Sequence, residues 1–359
     1  MIQFIIKRLF YGFLVLLGVI TIVFLLFNVL PGDPARMMLG QRADITSVAA
    51  INKDLGRDKP MITQYFNYLN DLSIISVHNT SDKKNYWYLD SSKYAPCVKL
   101  LNIGNKSLVL KKPYLRRSYQ NKRKVSEILS EAFPNTALLA GVAMLFALII
   151  GIIVGIFAAL KKDGLFDKIS LVVSAFGMSL PSFFAAILVA WIFAFLLARY
   201  THLNMFGSMY TVDDLGNGEH LDLKNLILPA FTLGIRPLAV IVELTRSSLL
   251  DVLSQDYIRT AKAKGLNTYR IIMGHALKNA MNPVITAVSG WLASLLAGAV
   301  FVEYVFDWKG VGVVIVDALE KYDFPVVMGA LLFISIILVI MNIFVDILYG
   351  WIDPRIRVS

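Results

Sequence analysis

Apolar residues in this chain gather into long uninterrupted runs, not the short alternations that give a soluble helix or strand one wet face. Four runs carry no charge: residues 9–30, 137–160, 169–198 and 326–345. A helix needs about 20 apolar residues to cross the hydrocarbon layer of a membrane, and each run meets that length. Two further runs are weaker: residues 225–245 contain Arg236 and Glu243, and residues 283–305 contain Glu303. Counted together they predict an all-α membrane protein with six transmembrane helices. The first run follows Lys7 and Arg8 as a signal peptide would, but its length and the lack of a small-x-small cleavage site favour an uncleaved span.

The polar stretches between the runs set the organisation. Residues 1–30 hold the first span, 31–131 form a long connection, and 132–359 hold the other five spans, with a polar loop at 247–282. The cluster Pro31-Gly32-Asp33-Pro34 stops the first helix. Residues 47–72 have mixed helical character. Residues 73–115 alternate short runs such as Tyr86-Trp87-Tyr88-Leu89 and Ser107-Leu108-Val109-Leu110 with turn formers, and read as a small strand-and-turn insertion. A helical pattern from Lys124 leads into the second span.

Composition agrees: 57% of the 359 residues are hydrophobic and 17% charged, more apolar than one soluble core requires. The net charge of +10 has a membrane explanation and calls for no nucleic acid. Short basic segments at Lys7 and Arg8, Lys161 to Lys168, 246–278 and Arg355 to Arg357 alternate with connections rich in acids. By the positive-inside rule the basic side is cytoplasmic, which places both termini there and the long 31–131 segment outside. Such a chain lies in the cell inner membrane as a multi-pass protein.

Candidate chemistry is sparse. Cys97 is the only cysteine, the four histidines lie outside the predicted spans, and no GxxxxGK[ST] phosphate loop is present. The sequence therefore calls for no cofactor, metal site or catalytic residue, and if ATP drives the protein another chain binds it. Gly151 and Gly155, and likewise Gly290, Ser294 and Gly298, recur at four-residue spacing. That spacing suits close helix packing in lipid or the lining of a pathway. Pro181 and Pro237 each remove a backbone hydrogen bond and are candidate kinks. Arg236 and Glu243 are two helical turns apart on one face, fit either for lining a pore or for pairing with another helix.

The most informative polar stretch runs from Ser254 to Leu266. Ser254 can act as N-cap, Asp256 lies in the first turn, Lys262 and Lys264 lie at the end, and Gly265 is placed to close the helix in the left-handed conformation. Tyr257, Ile258 and Ala261 share a narrow apolar face suited to docking in a groove. A second helix is expected from Asn267 to about Asn282, with Pro283 opening the fifth span. A simpler reading makes the whole stretch a solvated basic loop beside anionic headgroups.

The run Asp256-Tyr257-Ile258-Arg259-Thr260-Ala261-Lys262-Ala263-Lys264-Gly265-Leu266, followed by His275-Ala276-Leu277-Lys278-Asn279-Ala280 and Pro283, resembles the cytoplasmic loop of dipeptide and oligopeptide permeases of binding-protein-dependent ABC importers. Leu30-Pro31-Gly32-Asp33-Pro34, Glu303 with Phe306, Trp308, Gly310 and Gly312, and the terminal Asp353-Pro354-Arg355 are similar to the same family. Where the general importer loop reads Glu-Ala-Ala, this chain has Arg259, Thr260 and Ala261, the form of the peptide branch. The 73–115 insertion has no counterpart in the usual pattern.

The resemblance implies the type I ABC importer permease fold. It also implies a coupling helix at Asp256, Tyr257, Ile258, Arg259, Thr260, Ala261, Lys264, Gly265 and Leu266, seated in an ATPase. The implied partners are a second permease subunit, two ATP-binding subunits and an external solute-binding protein. A secondary transporter or channel would instead show inverted repeats, broken half-helices and buried acids mid-membrane. An intramembrane hydrolase would need a Ser-His or Cys-His pair at that depth.

Overall fold

The computed structural model describes residues 2–29, 52, 59–82, 85–94, 96–212 and 218–352. The Pro31 cluster, the stretch 47–51 and the terminal Asp353-Pro354-Arg355 lie outside the described residues. Four helices are long and apolar enough to cross a membrane: α1 (Ile2–Val29), α3 (Val125–Leu160), α6 (Lys224–Leu253) and α11 (Phe324–Ile352). Between α1 and α3 lies α2 (Met61–Leu72). Two bent pairs bring the number of candidate spans to six. The first is α4 (Leu165–Ser179) with α5 (Ser182–Val189), the latter continuing as a wider helical turn through Leu196. The second is α8 (Leu277–Gly298) with α9 (Val300–Phe306).

Over their described residues the charge-free runs coincide with helices or with the first bent pair; of the two breaks, one falls at Pro181 and the other, between Gly298 and Val300, at no proline. At Leu180-Pro181 the chain turns through 112°, because Pro181 supplies no N–H and the residue before it is driven out of the helical region. Leu180 is accordingly extended, at ψ 130°. Pro237 does not end its helix; α6 runs unbroken past both Pro229 and Pro237. Pro283 does not open a new helix either. The helix expected to stop near Asn282 runs from Thr268 through Pro283 as one continuous element.

The chain divides into two compact units. One comprises Met1–Arg8, Phe133–Val313 and Ile337–Ser359. Its core draws Leu139, Ala143 and Ala147 from α3, Ala186 and Val189 from α5, Leu228 and Ile241 from α6, Leu295 from α8, Val302 and Phe306 from α9, and Trp308. Along the membrane stretch of α3 the buried side includes the small residues Ala140, Ala143 and Ala147 beside Leu139 and Met144, while the exposed side carries large apolar ones, Leu145, Ile149 and Ile153. That is the reverse of a soluble helix, and it suits a helix whose outer face meets lipid. Gly151 and Gly155 serve this packing. A Cβ on Gly151 would lie 2.7 Å from Ile241 Cγ2, and one on Gly155 would lie 2.6 Å from Thr245 Cβ, so α3 and α6 approach closely there.

The other unit comprises Leu9–Ala132 and Val314–Ile336. It contains α2 and an antiparallel sheet of β1 (Ile75–Asn79), β2 (Cys97–Ile103) and β3 (Lys106–Lys111) in the order β1-β3-β2. This is the small insertion expected at 73–115, with one correction. Tyr86 to Leu89 do not form a strand; Tyr88 makes a single bridge to Asn79, and the neighbouring rings turn onto α2. There the Trp87 indole donates to Asn67 Oδ1 at 2.5 Å, and the Tyr94 hydroxyl donates to the buried Asp71 carboxylate at 2.8 Å.

His78 on β1 is fully buried, its Nδ1 facing the Trp87 carbonyl at 3.3 Å and its Nε2 facing the Ser76 hydroxyl at 2.9 Å. Burial, together with the nearby Lys111 ammonium, lowers the His78 pKa from 6.5 to about 4. The unfolded ring therefore binds a proton at a higher pH than the folded one. Stability is full above about pH 6.5 and is lost as pH falls toward 4. The expected loss is on the order of 1–2 kcal/mol, seen as faster proteolysis of the 73–115 region at pH 5 than at pH 7. A His78→Gln variant should show a flatter profile.

Candidate functional site

The polar loop after α6 folds as α7 (Asp256–Ala263). Its start differs from the sequence reading: Ser254 closes α6, its hydroxyl donating to the Asp251 carbonyl at 2.7 Å, and Gln255 in extended conformation is the N-cap. Its end is as expected. Gly265 has φ +77°; its N–H donates to the Lys262 carbonyl at 3.0 Å and the Leu266 N–H to the Ala261 carbonyl at 3.3 Å. These two bonds form the Schellman pair that satisfies the last carbonyls of a helix closed by a left-handed residue. Asn267 then caps the following helix, its side chain accepting from the Arg270 N–H at 2.9 Å.

The face expected to dock elsewhere is divided. Ile258 is fully buried and Ala261 is 8% exposed, both packed within this chain against Ala159, Leu249, Ile271, Ala276 and Ala280. A helix of eight residues can bury one stripe, and the ends of α3, α6 and α8 supply the apolar floor for it. Leu266 packs at the margin of the same cluster. The outward surface consists of Asp256, Tyr257, Arg259, Thr260, Lys262, Ala263 and Lys264. Arg259 pairs with Asp256 at 3.3 Å, but both are highly exposed, so this pair contributes little to stability. The Tyr257 hydroxyl accepts from the Asn279 side chain at 3.0 Å.

Within α6, Arg236 and Glu243 are not paired with each other, nor with any other charge among the described residues. Arg236 Nη2 donates to the Met178 carbonyl at 3.4 Å and lines a cavity of about 90 Å³ with Ser182, Thr232, Trp291 and Ser294. A Cβ on Gly290 would meet nothing within 4 Å, so this part of α8 is not packed inside the chain. Gly298 is the last residue of α8. Arg236 and Ser294 thus come together at one cavity, and Glu243 is not among its lining residues.

Two arrangements rest on contacts that the sequence reading did not give, although Glu303, Trp308, Gly310 and Gly312 were part of the resemblance it drew. Arg246 and Asp167, 79 residues apart, form a two-pronged ion pair, with Arg246 Nη2 to Asp167 Oδ2 at 2.7 Å and Nε directed at Oδ1. It ties the first turn of α4 to the end of α6. The only local signal was the pair of acids, Asp163 and Asp167, in the basic segment 161–168. Glu303 is the second: its carboxylate is fully buried and accepts the Gly312 N–H at 2.6 Å, at the start of α10 (Val311–Glu320). The Val311 N–H donates to the Thr136 hydroxyl at 2.9 Å, and the Trp308 indole to the Asn135 carbonyl at 2.9 Å. A Cβ at Gly310 or Gly312 would collide with the Glu303 carboxylate, which is why Glu303, Gly310 and Gly312 occur together.

Residues 151–358 match the model of the binding-protein-dependent transport system inner membrane component, and residues 1–140 match its membrane-component N-terminal model. The dipeptide transport system permease DppB of Alkalihalophilus pseudofirmus is 34% identical, the match covering 99% of this chain and 100% of that one. The DppB of Escherichia coli K12 is also 34% identical, with 99% of each chain covered. The di/tripeptide permease DppB of Pseudomonas aeruginosa is 35% identical, again with 99% of each covered. Among solved structures, a chain of the MetNI methionine ABC transporter in inward-facing conformations superposes with a TM-score of 0.50 at 16% identity. That match covers 63% of this chain and 97% of the other. The likeness is one of fold, that of a type I ABC importer permease.

Proposed function

Because this chain belongs to the family of binding-protein-dependent inner-membrane transport components, we propose that it forms half of the membrane pathway of an ATP-driven importer of di- or oligopeptides. The observation that carries this reading is the match to peptide permeases over 99% of the chain at 34–35% identity. With no phosphate loop of its own, the chain takes its energy from two ATP-binding subunits. A second permease completes the pathway and an external solute-binding protein delivers the cargo.

The outward face of α7 is the part that seats in an ATPase cleft, and the inward face is the reason the movement reaches the membrane. Ile258 and Ala261 lock α7 to the ends of α3, α6 and α8, so a displacement of α7 displaces those helices. ATP binding draws the ATPases together and opens the permease pair outward; hydrolysis resets it. Two packed states biased by ligands at separate sites suffice. The break at Pro181 is of a kind that gradient-driven carriers also use, so the deciding test is the source of energy. Purification through a tag on this chain should recover two ATPases and a second permease with ATP hydrolysis, and the chain alone should hydrolyse none. Full activity from the isolated chain would remove the partner assignment.

In this arrangement both termini and α7 are cytoplasmic and the sheet of β1, β2 and β3 is external. Cys97, partly exposed on β2, should react with an impermeant thiol reagent in spheroplasts. In a Cys97→Ser background, Lys264→Cys should stay protected until the membrane is opened. The reverse pattern would overturn the orientation.

A further inference from the structure

Arg236 lies in the middle third of α6, where a cation is costly unless it meets water or an anion. Of its five donors, one reaches the Met178 carbonyl at 3.4 Å, and no acid pairs with it among the described residues. The side chain borders a cavity of about 90 Å³, whereas one water needs roughly 10–15 Å³. Leu180 and Ser182, on either side of Pro181, line the same cavity, and the first turn of α5, starting at Ser182, has backbone N–H groups with no partner inside the helix. Ser182, Thr232, Trp291 and Ser294 are the other polar side chains of the lining, and Leu180, Leu233, Ile235 and Leu295 supply its apolar wall. A guanidinium, a helix N-terminus and hydroxyls around one space make a set of donors with no matching acceptor charge. That is the chemistry of a carboxylate site.

Resting on the peptide-permease reading above, we infer that this cavity receives the C-terminal carboxylate of the peptide during passage, with Arg236 as its counter-charge. The Pro181 break then has a role: it turns a helix N-terminus toward the cargo in the middle of the membrane.

The test compares uptake of dialanine with uptake of dialanine amide by the complete transporter with its binding protein. Wild type, Arg236→Gln and Arg236→Lys are each measured. The acid-to-amide ratio does not depend on how much complex is present, and the binding protein's own preference cancels between variants. Arg236→Gln should lower this ratio about tenfold, the loss of one charge-assisted contact, and Arg236→Lys should recover most of it. A second measurement, binding of millimolar dialanine to the detergent-solubilised complex without binding protein, should weaken about tenfold in Arg236→Gln. An unchanged ratio, equal loss of both cargoes or undiminished binding would overturn the inference. Equal loss would assign Arg236 to an acid of the second permease. Failure of the wild-type complex to import any peptide with ATP would instead overturn the peptide reading itself.

Discussion

Gly265→Val is expected to cut ATP-driven uptake at least tenfold while the chain reaches the membrane in near-normal amount. Gly265 holds φ +77°, where a β-branched residue costs about 1–2 kcal/mol. The Schellman bonds from Gly265 and Leu266 close α7 only in that conformation. Valine would unwind the end of α7 and misplace its outward face, yet a Cβ there meets nothing within 4 Å. Arg259→Glu should act on the outer surface alone: Arg259 is 75% exposed, so thermal stability should hold while ATPase co-purification falls. Ala261→Glu should do the opposite, placing a charge among Ala159, Leu249 and Ile271 and lowering the amount of folded chain. Full uptake by both Gly265→Val and Arg259→Glu would mean that α7 is not the coupling element.

Gly312→Val should be the most damaging single change for folding, at about 3 kcal/mol or more. Its Cβ would collide with the Val300 backbone and lie 2.7 Å from Glu303 Oε2. The N–H that Gly312 donates at 2.6 Å anchors a fully buried carboxylate. Displacing the loop removes one of that carboxylate's donors and opens the start of α10. The detergent-purified variant should melt well below wild type. A wild-type melting temperature would show that the loop has slack the packing does not suggest.

The charge-free runs were legible because a stretch of twenty or more apolar residues has few places to go besides a membrane. The family was legible because the run from Asp256 to Leu266 resembles the peptide-permease loop over its whole length, and Gly265 because the left-handed close of a helix favours glycine. Prolines were not. Pro181 separates two helices, whereas Pro229, Pro237 and Pro283 sit inside continuous ones, and proline alone does not distinguish the two cases. The direction of Ile258 and Ala261 was hidden for a related reason: a small apolar stripe looks the same whether it meets a partner or the ends of its own helices. The Asp167–Arg246 pair spans 79 residues and leaves no local pattern. Ser254 misled because its hydroxyl serves the helix behind it, and the aromatic run Tyr86 to Leu89 because its rings serve α2.

The central claim is that this chain moves peptide with energy delivered by ATP in other subunits through α7. The direct measurement is dialanine uptake into proteoliposomes holding the purified complex and its binding protein, with ATP supplied and ion gradients abolished by ionophores. The account predicts uptake that requires ATP, survives ionophores and disappears with Gly265→Val. Uptake that proceeds without ATP and collapses with the gradients would contradict it.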